Sequence, residues 1–135
     1  MTLLTSDRIA AMSFRQAFDA ERLKREAERR AREDAERARQ EADEARSIEL
    51  YEILAADPGF LAEKKLTLEH TRYTVMLEHA DYRLRAYFED AQINVTAADK
   101  RSATTITAAP TKQEFVDSVA EALEVLARYL ADETV

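Results

Sequence analysis

With 135 residues, 20 basic and 27 acidic side chains, one Gly, two Pro and no Cys, the chain has room for one small globular domain. It has no disulfide, thiolate nucleophile or Cys-based zinc site, and its composition fits a reducing compartment. The formal net charge of −7 is uneven: residues 1–50 carry 11 basic and 12 acidic side chains, leaving 9 and 15 for residues 51–135. An acidic C-terminal half lacks the clustered positive charge that a sequence-independent DNA coat needs to displace counterions, which points to protein partners instead.

Residues 1–12 include Asp7 and Arg8 and never reach the apolar run of a secretory signal, and nowhere does the chain approach the ~20 apolar residues of a membrane-spanning helix. A soluble cytoplasmic protein with no membrane partner is the expectation.

Helical signals open near Ser6 and Asp7, both suitable N-cap residues, and no breaker occurs before Asp57-Pro58-Gly59. Residues 19–46 are almost wholly Ala, Glu, Asp, Arg and Lys, most of which lose little on entering a helix. Glu21/Arg25, Glu26/Arg30, Glu28/Arg32 and Glu33/Arg37 stand one turn apart in the favoured acid-first order. A helix of about fifty residues would be ~75 Å long, whereas a globule of the remaining ~80 would be about 30 Å across. The helix is therefore expected to project, spacing or displaying other parts and offering no pocket.

Ala17, Ala20, Ala27, Ala31, Ala38, Ala42, Ala45 and Ile48 recur at steps of three and four, with Lys24 and Asp34 in the two gaps. This heptad seam allows close helix approach but buries little area. It makes Ala27, Ala31, Ala38, Ala42, Ala45 and Ile48 candidate oligomerisation positions in a coiled coil; a solitary spacer helix and docking on a different protein are the alternatives. Ahead of the seam, Ile9, Met12, Phe14 and Phe18 form a larger apolar cluster, in which Phe14 and Phe18 are candidate partner contacts.

Over residues 47–56 the helix becomes apolar on more than one face, as expected of a segment entering a core. The expected organisation is a projecting helix over 1–50 and a small acidic α+β domain over 51–135. Beyond the Pro-Gly break the period changes from helical to alternating. Leu66 and Leu68 predict a first strand, Tyr73, Val75 and Leu77 a second, with a bulge or turn near His70, and Tyr82, Leu84, Ala86 and Phe88 a third. Ile93 and Val95, then residues 104–107 around Ile106, predict two more.

The second and third strands permit a test of register. A loop at Ala80-Asp81 sets Leu77 opposite Leu84, Val75 opposite Ala86 and Tyr73 opposite Phe88, while the outer face pairs Glu78 with Arg83 and Arg72 with Glu89. Ala-Asp is a poor primed turn, so a four-residue loop over 78–81 is the alternative. Thr111 and Glu114 then form a capping box ahead of an apolar run. They predict a helix over 111–132 whose stripe of Phe115, Val119, Leu123, Leu126 and Leu130 covers the sheet. The expected fold is α+β: a long charged N-terminal helix, then a small antiparallel β-meander covered by a C-terminal amphipathic helix.

Chemistry has few candidates. His70 and His79 flank the second strand, whereas a metal site wants three or four ligands. Glu89 and Asp90 read as turn residues, a single Gly makes no phosphate-cradling loop, and no Ser or Thr stands in a nucleophile elbow. No catalytic residue, metal or cofactor is assigned. Arg72, Arg83, Arg85 and Tyr87 share the outer hairpin face, as in sheets that stack single-stranded nucleic acid. In the register above, however, acids oppose two of the arginines, and Met76 leaves the face partly apolar. These five residues are read as a protein-binding surface.

A small acidic protein with a sheet and an amphipathic C-terminal helix is similar in composition to bacterial secretion chaperones, which dimerise and hold an extended client. No residue motif carries the likeness, the long N-terminal helix departs from it, and the family is not assigned. The expectation is a non-enzymatic interaction, scaffold or adaptor protein that oligomerises or spaces through its N-terminal helix and binds an unidentified protein through its C-terminal domain. The alternatives are a single-stranded nucleic-acid binder, a secretion-type chaperone and an enzyme of unrecognised type.

Overall fold

The structure, a computed structural model, describes residues 12–101 and 109–134. The chain divides into two units, Met1–Ala38 and Arg39–Val135. The described part of the first unit is essentially helix. Helix α1 (Phe14–Ala55) is 42 residues long and opens on a capping box: Ser13 Oγ accepts from the Gln16 N–H at 3.1 Å, and the Ser13 N–H donates to Gln16 Oε1 at 3.0 Å. The expected caps Ser6 and Asp7 lie outside the described residues, and the helix is correspondingly shorter than the sequence pattern suggests. Residues 12–42 are all exposed. Glu33 pairs with Arg29 at 3.8 Å and Arg37 with Asp34 at 3.4 Å, in place of the expected Glu33/Arg37 pair.

In the second unit the last turns of α1 lead to α2 (Pro58–Glu63), where Asp57 Oδ1 accepts from the Phe60 N–H at 3.1 Å and Pro58 occupies the first turn. Strands β1 (Thr67–Thr71), β2 (Thr74–Glu78), β3 (Tyr82–Glu89), β4 (Gln92–Asp99) and β5 (Pro110–Val116) follow, then α3 (Val119–Thr134). The five strands form one antiparallel meander in chain order. Leu77 lies opposite Leu84, Val75 opposite Ala86 and Glu78 opposite Arg83, as the paired faces require. The turn expected near His70 falls at Arg72-Tyr73, so Tyr73 is a turn residue, though its carbonyl still accepts from the Phe88 N–H at 2.9 Å.

Every inward position of β3 is buried: Tyr82, Leu84, Ala86 and Phe88. Ile93 and Val95 of β4 join them, with Leu50 of α1 and Ala122, Val125, Leu126 and Tyr129 of α3 closing the core from the other side. Complete burial of Leu50 or Phe88 contributes about 1.5–3 kcal/mol each.

The start of the last helix differs from expectation. Residues 110–116 form edge strand β5, and the helix begins seven residues later at a second capping box, where Ser118 Oγ accepts from the Glu121 N–H at 3.1 Å and donates to Glu121 Oε1 at 3.0 Å. Thr111-x-x-Glu114 has the same chemistry but is overridden by ladder pairing of Gln113 with Thr96 and Glu114 with Val95. Lys112 Nζ reaches Asp132 of α3 at 2.8 Å, and Arg128 of α3 bonds Glu114, so ion pairs stand where apolar residues would have marked a strand. The buried stripe of α3 runs through Val119, Ala122, Val125, Leu126, Tyr129 and Leu130; Leu123 is half-buried, and Phe115 lies exposed on the sheet. The strand expected at 104–107 lies outside the described residues.

Candidate functional site

The sheet's outer face takes its side chains from the alternate positions of each strand. Register builds one row across it from Glu69 through Met76, Arg85 and Thr96 to Gln113, and the next from Thr74 through Tyr87 and Asn94 to Phe115. Arg83 bonds Glu78, which also accepts from Lys100 Nζ at 2.9 Å, so its charge is matched. Arg72 does not meet Glu89: in the turn, its Nε donates to Glu44 Oε2 of α1 at 3.2 Å, and its guanidinium lies over the Tyr73 ring. It therefore leaves the expected surface and ties the β1–β2 turn to the helix.

Arg85 is different, having no ion pair among the described residues. A hollow of about 380 Å³ is lined by Arg85, Tyr87, Glu89, Asp90, Gln92, Asn94 and Phe115. Arg85 Nε and Asn94 Oδ1 are buried there without a hydrogen-bond partner among the described residues. By register Asn94 stands between Tyr87 and Phe115, the latter 56% exposed, and Arg85 lies in the neighbouring row. The Glu89 carboxylate beside Tyr87, with burial and a hydrogen bond from the phenol, holds that hydroxyl above its ordinary value. Of the hollow's lining, Arg85 and Tyr87 are legible from strand alternation, whereas Phe115 is not, because β5 does not read as a strand; Gln92 and Asn94 lie on β4, whose polar positions carry no distinguishing signal.

Helix α1 separates two faces. Along one, Asp43, Ser47 and Leu50 are buried at helical spacing. Asp43 accepts from the N–H groups of Asp90 and Ala91 at 2.9 and 3.0 Å, while Ser47 Oγ lies 2.8 Å from the Arg72 carbonyl and 3.0 Å from His70 Nε2. The helix thereby holds both hairpin turns at one end of the sheet. Of the candidate oligomerisation residues, Ala27, Ala31 and Ala38 are exposed in the first unit, and Ala42 and Ala45 are exposed in the second, as is Ile48 at 39%. Phe14 is 90% and Phe18 58% exposed; their expected neighbour Ile9 lies outside the described residues.

An open apolar cleft of about 360 Å³ lies where the end of α1, α2 and α3 meet, lined by Ile53, Phe60, Leu61, Leu66, Leu123 and Leu130 among others. The histidines are not brought together. His70 stacks on Tyr51 near the β1–β2 turn, and His79 stacks on Tyr82 beyond the far end of β2. Among the described residues no cluster of three His, Cys, Asp or Glu is placed to hold a metal, and no helix is long and apolar enough to cross a membrane. No protein-family profile, curated protein or solved structure matches the chain.

Proposed function

We propose that this is a non-enzymatic interaction protein that self-associates through α1 and presents the outer sheet face to a protein partner, as a scaffold or adaptor does. One observation carries the reading: the seam from Ala17 to Ile48 faces solvent even where the opposite side of the helix is buried against the sheet. A face of alanines with Ile48, left open on a helix of 42 residues, is suited to close approach of a second helix. On the sheet, Phe115 is 56% exposed on the face that also carries Arg85, Tyr87 and Asn94, a mixed apolar and polar surface of the kind protein interfaces use. The cysteine-free sequence fits a cytoplasmic setting.

The test is charge insertion. Ala31→Glu and Ala38→Glu should each weaken self-association, read by sedimentation velocity, while near-ultraviolet dichroism of the C-terminal tyrosines stays unchanged. Unaltered association in both variants would remove α1 from the interface.

A further inference from the structure

We infer that the second copy lies antiparallel along α1, in the register that sets Lys24 against Glu41; this rests on the self-association proposed above and specifies its geometry. Strict alternation of three and four from Ala17 to Ile48 falls on Glu41 and leaves Ala42 at the flank, so three charged residues, Lys24, Asp34 and Glu41, interrupt the seam. Lys24 and Glu41 are exposed and have no ion-pair partner among the described residues, while Asp34 bonds Arg37 of its own helix.

Alanine layers bury too little for packing to choose an orientation, so these charges choose it. A parallel in-register pair sets Lys24 against Lys24, Asp34 against Asp34 and Glu41 against Glu41, with Glu44 facing Glu49 at the flank. In the antiparallel register that places Ala17 opposite Ile48, Lys24 meets Glu41 of the second copy twice by symmetry, and Asp34 meets Ala31. Arg30 then faces Arg37, with Asp34 on the seam between them. Sliding one heptad to pair Lys24 with Asp34 strands Glu41 against Ala17 and sets Glu28 against its own copy. The chosen register uses the whole exposed seam and matches both unpaired charges.

Because the chain has no Cys, engineered thiols report the alignment without background. Equimolar Ala20→Cys and Ala45→Cys proteins, mixed and mildly oxidised, should give a covalent dimer, and Ala20→Cys alone should not. Lys24→Glu should raise the dissociation constant about tenfold, and Lys24→Glu with Glu41→Lys in the same chain should restore it. Crosslinking by Ala20→Cys alone, or by Ala20→Cys with Ala38→Cys in preference to Ala45→Cys, would overturn the register while leaving self-association standing. Failure of the charge reversal to restore binding would also overturn it. A monomer in sedimentation equilibrium would overturn both.

Discussion

The Asp43 carboxylate accepts the Ala91 N–H at 3.0 Å across the joint between α1 and the β3–β4 turn. Its other oxygen takes the Asp90 N–H at 2.9 Å. Both turn residues have positive φ, 50° at Asp90 and 64° at Ala91, as a tight primed hairpin requires. For Ala this left-handed conformation costs about 1–2 kcal/mol. The buried carboxylate supplies an offset by satisfying both amides. Asp43→Ala should therefore cost about 2–4 kcal/mol in urea unfolding, and Ala91→Gly should gain about 0.5–1 kcal/mol. A neutral Asp43→Ala would mean that water serves the turn equally well.

The rotated stripe of α3 gives a second prediction. Leu126 is buried and Leu123 only half-buried, so Leu126→Ala should cost about 2–5 kcal/mol and Leu123→Ala about 1–2 kcal/mol. Phe115→Ala should stay within about 0.5 kcal/mol, as at an ordinary surface site. A large loss at Phe115 in chemical denaturation would contradict its placement on the outer face.

Much of this is readable from local pattern, and the exceptions have physical causes. The β2/β3 register is over-determined, because one pairing must match apolar residues on one face and Glu78 with Arg83 on the other. The start of α3 is not: Thr111-x-x-Glu114 and Ser118-x-x-Glu121 carry the same cap, and only pairing with β4 decides between them. Asp43 is equally hidden, one acid among many on a charged helix whose partners lie 47 and 48 residues away. On the candidate surface, Arg85 and Tyr87 follow from alternation and Asn94 meets Tyr87 through the β3/β4 pairing, whereas Phe115 joins them only once β5 is in place.

Acid should selectively weaken the Glu78 cluster. Burial pushes this carboxyl up, but hydrogen bonds from Lys100 and Arg83, with their charges, outweigh burial and hold it below the ordinary 4.5. A carboxyl lowered by folding adds stability that is present above its unfolded value and lost as pH falls through the lowered one. The stability difference between the native chain and Glu78→Gln should thus be constant from about pH 7 to 5.5 and shrink below about 4.5. A difference that does not change down to about pH 3 would refute the assignment.

Nucleic acid provides a further discriminator for the outer face. Arg83 and Arg72 are matched by Glu78 and Glu44, leaving Arg85 as the unmatched one of the three candidate arginines. Fluorescence anisotropy at low salt should therefore show no low-micromolar binding of labelled single-stranded DNA or RNA. Salt-sensitive binding lost on Arg85→Ala would make single-stranded nucleic acid, not protein, the partner of this face.

The open seam of α1 is proposed to be covered by another copy. Sedimentation equilibrium of the full chain at high micromolar concentration reads this without assuming a shape. The mass should rise with concentration to at least twice that of the 15.4 kDa chain; a single-chain mass throughout the range would rule out a second copy on the seam.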